Sequence, residues 1–135
     1  MTAFPLQATA IYAGILLLIG LVLGALTTRA RVKNSVLIGD GGKEPVIKAI
    51  RAHANFAEYV PLAVIGIGLA EMAGGPAWLV HGMGVVLVLA RLAHAQGMYQ
   101  TTALSPGRLA GATLTWIVYL VAGLASLYYG FGLQG

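Results

Sequence analysis

Four long apolar stretches alternate with short polar breaks along the chain. The first, Phe4 to Leu26, has the length of about 20 residues that a bilayer requires. Pro5 suits its first turn, and Gly20 and Gly24 form a small-xxx-small pair that permits close helix contact. Arg29, Arg31 and Lys33 close the stretch. Asn34 to Lys43, with Gly39-Asp40-Gly41-Gly42, reads as a polar connection. Glu44-Pro45 opens the second stretch, with a proline where a helix needs no N–H and an acid at the positive end of the dipole. It runs to Gly74-Gly75-Pro76, a tight turn. The third stretch runs from Ala77 to Tyr99. Thr101 to Gly107, with Ser105-Pro106-Gly107, is the next break, and the fourth stretch follows to Phe131. The pattern predicts one all-α domain over residues 1–135, with helices at about 5–31, 45–73, 77–99 and 108–131. Its short connections make neighbouring helices antiparallel.

Composition turns this bundle into a membrane protein. The chain has 135 residues, of which 59% are hydrophobic and only 9% charged, against about 25% charged in soluble domains. The first run has no basic stretch ahead of it and no small-x-small cleavage site, so it reads as a retained helix rather than a signal peptide. The location of the charges then sets a topology. Residues 1–28, 52–90 and 109–135 hold no Lys or Arg. The basic residues border the first and third connections, which predicts loops 32–44 and 100–107 in the cytoplasm and both termini outside. Basic residues that border membrane spans argue against nucleic acid as a partner. With no cysteine in the chain, a protein thiol nucleophile, a disulfide and a thiolate metal site are all excluded.

Candidate chemistry gathers on helices two and three. Arg51, Asn55 and Glu58 stand at i, i+4 and i+7, which is one helix face, and Tyr59 widens that face by one position. Arg91, His94 and Met98 form a similar stripe on helix three. Ionisable groups at membrane depth are costly and serve a function by default. Two readings are open for Arg91: neutralisation of Glu58 inside the bundle, or part of a cationic cleft. One Glu cannot balance Arg51, Arg91, Arg108 and the Arg29/Arg31 pair, and a surplus of converging cations implies an anionic ligand. Arg29, Arg31, Lys33 and Arg108 also fit the plainer role of topology anchors. His53 lies about 200° around the helix from Arg51 and reads as a surface or interfacial residue. His81 falls near the outer turn, with no chemical role assigned. The three histidines lack metal-ligand spacing.

The segment Arg51-Ala-His-Ala-Asn55-Phe-Ala-Glu58-Tyr59-Val-Pro61-Leu62 closely resembles the second-helix motif of the MAPEG family, the membrane-associated proteins in eicosanoid and glutathione metabolism. Ala90-Arg91-Leu92-Ala93-His94-Ala95-Gln96-Gly97 resembles the third-helix motif. Length, four spans and the charged first loop agree over the whole chain. The resemblance implies a left-handed four-helix bundle assembled as a homotrimer in the lipid bilayer of a bacterial inner membrane. It implies glutathione as co-substrate, held between subunits near the cytoplasmic side. By position, Arg51 would hold a glutathione carboxylate, Asn55 its backbone and Glu58 its ammonium. Tyr59, Arg91 and His94 would line the site, Arg29 or Arg31 would reach in from helix one, and Arg108 would face the thiol. Met98 departs from the pattern, since eicosanoid-pathway members place a Tyr there.

The residue chemistry accords with that assignment. Glutathione carries two carboxylates, an ammonium and a thiol, and Arg51, a second Arg, Glu58 and Arg108 supply complementary charge. Arg108 stays protonated, so it can stabilise a thiolate but cannot remove its proton. The expected activity is that of a glutathione transferase or peroxidase acting on a hydrophobic small-molecule electrophile held by apolar helix walls. Two alternatives belong to other classes. One is a non-catalytic lipid- or glutathione-binding scaffold. The other is a small multidrug exporter, although such exporters use a Glu in helix one and here helix one has no acid.

Overall fold

The computed structural model describes residues 6–133. The expected start of helix one at Phe4 and Pro5 lies outside the described residues. Four helices follow in order: α1 (Gln7–Lys33), α2 (Glu44–Met72), α3 (Ala77–Gln100) and α4 (Pro106–Gly130). They form an antiparallel bundle, and the described residues contain no strand. Three of them, α1, α3 and α4, are long and apolar enough to cross a membrane. Helix α2 is more polar, yet α1 lies along its whole length. Thr27 Oγ1 donates to the Ala49 carbonyl at 3.1 Å near one end. The Phe56 ring covers Gly20 in the middle. At the other end the Glu71 carboxylate accepts the N–H groups of Ala8 (2.9 Å) and Thr9 (2.8 Å). Helix α2 therefore traverses the same slab as α1.

The expected boundaries differ from the observed ones mainly at α4. The break after α3 ends at Ser105 rather than Gly107, because Ser105 and Pro106 form a helix start. Ser105 Oγ accepts the Arg108 N–H at 3.3 Å, and Pro106 sits at the first helical position, where its missing N–H costs nothing. Arg108 consequently lies two residues inside the first turn of α4 rather than at its first position. Glu71 also acts beyond the sequence expectation. Its carboxylate caps α1 from the neighbouring helix, since no side chain of α1 itself does so.

The closest approach of one helix backbone to another is between α3 and α4, at glycines that the sequence pattern did not mark as a helix contact. A Cβ on Gly97 would stand 2.6 Å from the Arg108 nitrogen, one on Gly107 2.8 Å from the Ala93 carbonyl oxygen, and one on Gly111 2.5 Å from the Ala90 carbonyl oxygen. Gly20 and Gly24 serve a different contact, α1 against α2, where they meet Phe56 and His53. Leu16, Ile67, Leu87, Val80 and Val118 fill the interior. Leu17, Leu18, Leu21, Leu120 and Trp78 point outward, the apolar surface that a lipid surround demands.

Two outcomes check this architecture. Because the chain has no native cysteine, Leu37→Cys and Ala77→Cys should react with an impermeant maleimide from opposite sides of a sealed vesicle. Labelling of both from one side would rule out a bundle whose α2 crosses. Gly111→Ala should lower the thermal midpoint, by about 1–3 kcal/mol of overpacking against a backbone oxygen. Gly82→Ala meets nothing within 4 Å and should raise it slightly.

Candidate functional site

Antiparallel packing brings the end of α1, the start of α2, the end of α3 and the start of α4 together. All eight Lys and Arg residues belong to this half of the bundle, with Arg91 deepest. Arg51 and Arg108, 57 positions apart in the chain, line one hollow of about 100 Å³ together with Lys48, Met98, Thr101 and Thr102. The position of Arg108 is fixed through one nitrogen: Nη1 donates to the carbonyls of Thr102 (2.8 Å) and Ala103 (2.6 Å). Those carbonyls lie just past the C-terminus of α3, where the backbone favours a cation. Ser105 completes the arrangement by donating to the Gly97 carbonyl at 3.3 Å.

One layer deeper, Arg91 is only 2% exposed. Its Nη1 donates to Asn55 Oδ1 at 3.0 Å, and the guanidinium lies 5.9 Å from the centre of the Tyr59 ring, within cation–π range. Its Nε and Nη2 are buried and have no partner among the described residues. Tyr119 on α4 donates its hydroxyl to the Tyr59 carbonyl at 2.6 Å. Asn55, Tyr59 and Arg91 line a hollow of about 150 Å³ with Ala112, Thr115 and Trp116 of α4. A buried cation without a carboxylate is costly, and leaves donors to offer an anion.

The pairing of Arg91 with Glu58 is not what the structure contains. Among the described residues the ion pair present is Lys48–Glu44 at 2.7 Å. Glu58 lies exposed on the outer face of α2, as does Arg51. The physical reason is rotation: Asn55 is turned toward α3, and Glu58, three positions on, faces past it. His94 lines neither hollow. It is buried, 7% exposed, with its Cβ against Gly111 of α4. From α1, Arg31 donates to the Leu37 carbonyl at 3.2 Å. Arg29 lines a separate cavity among α1, α2 and α3. Within one chain the fold thus joins Arg51 with Arg108, and Asn55 and Tyr59 with Arg91. It does not bring Glu58, Arg29 or Arg31 into either group, and His94 stands near both Arg91 and Arg108 without lining either hollow.

Sequence reasoning missed Lys48, Thr115 and Tyr119. The last two were findable, since a polar pair at i and i+4 in an apolar helix points to a shared inward face. His53 is half-buried between α1 and α2, against Gly24. His81 accepts or donates a 2.9 Å hydrogen bond with the Tyr12 hydroxyl.

With four helices of this length and a cation-rich end, comparison with known proteins gives a consistent answer. The MAPEG family profile matches residues 9–128. Inner membrane protein YecN of Escherichia coli K12 is 39% identical over 101 residues, which are 75% of this chain and 76% of YecN. The protein of the same name from Escherichia coli O6:H1 matches to the same extent. The chain belongs to the MAPEG family, membrane proteins of glutathione and eicosanoid metabolism.

The Arg91–Asn55 contact has a measurable consequence. Asn55→Ala leaves the buried guanidinium without its one hydrogen-bond acceptor and should cost about 1–3 kcal/mol of stability. Asn55→Ala combined with Arg91→Met removes both polar partners and should recover much of that loss. Thermal midpoints of the two variants in detergent decide the matter. An Asn55→Ala midpoint equal to that of the parent would mean that the contact carries no weight.

Proposed function

We propose that the protein binds glutathione at a site completed by a second copy of the chain, and activates its thiol for attack on lipophilic electrophiles. The observation that carries this reading is the outer face of α2. Arg51 and Glu58 are both exposed there, and Glu58 stands halfway along Glu44–Met72. That is about 21 Å from the helix start at 1.5 Å per residue. A bare carboxylate at that depth is unfavourable against lipid. A zwitterionic ligand and an adjacent protein surface would satisfy it. A homotrimer in a bacterial inner membrane, with the charged end in the cytoplasm, accords with family membership, with the name of the relatives and with the one-sided Lys/Arg distribution.

Each residue has a role in this reading. Arg51 holds one carboxylate as a charge-assisted pair. Glu58 takes the ammonium. Asn55 and Tyr59 border the peptide portion, with Arg91 fixing Asn55. Arg31 of the adjacent copy is the candidate for the second carboxylate, because Arg29 faces the separate cavity in its own chain. Arg108 meets the sulfur: its Nη1 is held by loop carbonyls, while Nε and Nη2 remain to stabilise a thiolate. A neighbouring cation lowers a thiol pKa from about 8.5 toward neutrality, and the released proton passes to solvent at the charged end. The thiolate sulfur then forms a bond to the electrophilic carbon as the leaving group departs. A scaffold that only binds glutathione or lipid would form no thioether, and an exporter would instead move a dye against a proton gradient.

Glutathione titration of the detergent-solubilised protein is the direct test. Glu58→Gln and Arg51→Ala should each weaken binding by roughly 1.5–3 kcal/mol, about 10- to 150-fold, with the fold intact. Parental affinity in both would remove them from the site. Arg108→Ala should lower turnover with a model electrophile far more than it lowers affinity. The thiolate absorbance of bound glutathione should titrate at higher pH in that variant. If Arg31→Ala abolishes the thiolate signal and Arg108→Ala does not, the stabiliser resides on α1.

A further inference from the structure

The largest hollow at the charged end contains neither Arg51 nor Arg108. It opens between the last turn of α1, the first turn of α2 and the end of α3, and measures about 530 Å³. That volume is within the range of small-molecule sites. Arg29, Lys33, Asn34, Lys48 and Tyr99 contribute its polar lining, and Leu26 an apolar wall. Glu44 is the one acid of the lining, so three cations stand against a single carboxylate. That carboxylate is already paired with Lys48 at 2.7 Å. Arg29 and Lys33, one turn apart on α1, make no ion pair among the described residues.

Cations in the last turn of a helix oppose its dipole, and beside a membrane they anchor its topology. Those roles account for Arg29 and Lys33 singly, but not for the cavity they share. Tyr99 supplies a second, independent observation. Its hydroxyl is buried and has no hydrogen-bond partner among the described residues. An orphaned O–H donor costs stability unless an acceptor is supplied. The cavity therefore offers two free cations, with Asn34, whose amide also donates to the Ala30 carbonyl at 2.8 Å, and with the unpartnered Tyr99 hydroxyl buried behind its wall; an apolar wall lies on the side toward the hydrocarbon.

We infer that this cavity binds the phosphate group of an anionic phospholipid, with the headgroup against Arg29, Lys33 and Tyr99 and the acyl chains leaving past Leu26. A phosphate diester matches the lining in charge and in acceptors. Basic pockets between membrane helices at the positively charged side take such headgroups. The apolar wall favours a lipid over a free anion, and the two share the phosphate chemistry. Lys48 lines both this cavity and the Arg51–Arg108 hollow, so an occupant here would touch the side chain that borders the proposed thiol site.

Native mass spectrometry of the full-length protein in neutral detergent tests the assignment, with phosphatidylglycerol and phosphatidylcholine as probes. The parent should retain phosphatidylglycerol in preference to phosphatidylcholine. The Arg29→Ala/Lys33→Ala double variant should lose about 10- to 30-fold of that retention, the scale of two basic contacts. Tyr99→Phe should lose a smaller part. Circular dichroism and the thermal midpoint establish that each variant is folded. If millimolar inorganic phosphate displaces the lipid, the site stands with free phosphate as occupant; if it does not, the lipid headgroup is the ligand. Equal retention of the two lipids by the parent, or undiminished phosphatidylglycerol on the folded double variant, overturns the proposal.

Discussion

The buried guanidinium of Arg91 is the constraint on which the rest of the site depends. It comes from α3, donates its one hydrogen bond to Asn55 Oδ1 of α2, and lies beside the Tyr59 ring. Tyr59 is in turn tied to α4, because its carbonyl receives the Tyr119 hydroxyl. Three helices are thereby held in one rotational setting by a single charge and its neighbours. Burial of a cation is unfavourable and a neutral amide offsets only part of the cost. Such an arrangement persists where the helices are otherwise well fixed. Here the α3–α4 seam does the fixing.

That seam works by removal of side chains. At Gly97, Gly107 and Gly111 the backbones approach so closely that a methyl group would strike a carbonyl or a nitrogen. The consequence reaches the chemistry. Ser105 can both cap α4 and donate to Gly97 only because the first turn of α4 sits against α3. The same approach places Arg108 within reach of the Thr102 and Ala103 carbonyls. The guanidinium is thus positioned by backbone packing rather than by a carboxylate, and its charge stays unneutralised beside Arg51.

Much of the fold was legible because a membrane protein writes its spans as long apolar runs. The four helices fall within two residues of their expected ends over the described residues, and the α4 start moved only because Ser105-Pro106 is a cap and not a loop. The site was legible in its residue types and less so in its pairings. Asn55 and Glu58 are three positions apart on α2, and a long arginine from α3 can reach either. Spacing along one helix does not set its rotation against another, so Glu58 was as good a partner for Arg91 as Asn55. The Glu71 cap on Ala8 and Thr9 has the same origin: it joins residues more than 60 positions apart, and no local pattern encodes it.

The orientation of α2 links assembly to chemistry. Its inner face spends Asn55 and Tyr59 on Arg91, while Arg51 and Glu58 are left on the outer face with two turns between them. Opposite charges about 10 Å apart along a helix make no direct hydrogen-bonded pair, so the desolvation cost of each is left without a contact partner. A ligand with an ammonium at one end and a carboxylate at the far end, as the glycyl carboxylate of glutathione is, can bridge that gap, and a free amino acid is too short to do so. Lipid cannot supply either charge at the depth of Glu58. In the proposed assembly the adjacent subunit excludes lipid from this face, and the bound tripeptide supplies the missing charges. Removing either would leave Glu58 bare, so subunit association and thiol binding should stabilise one another.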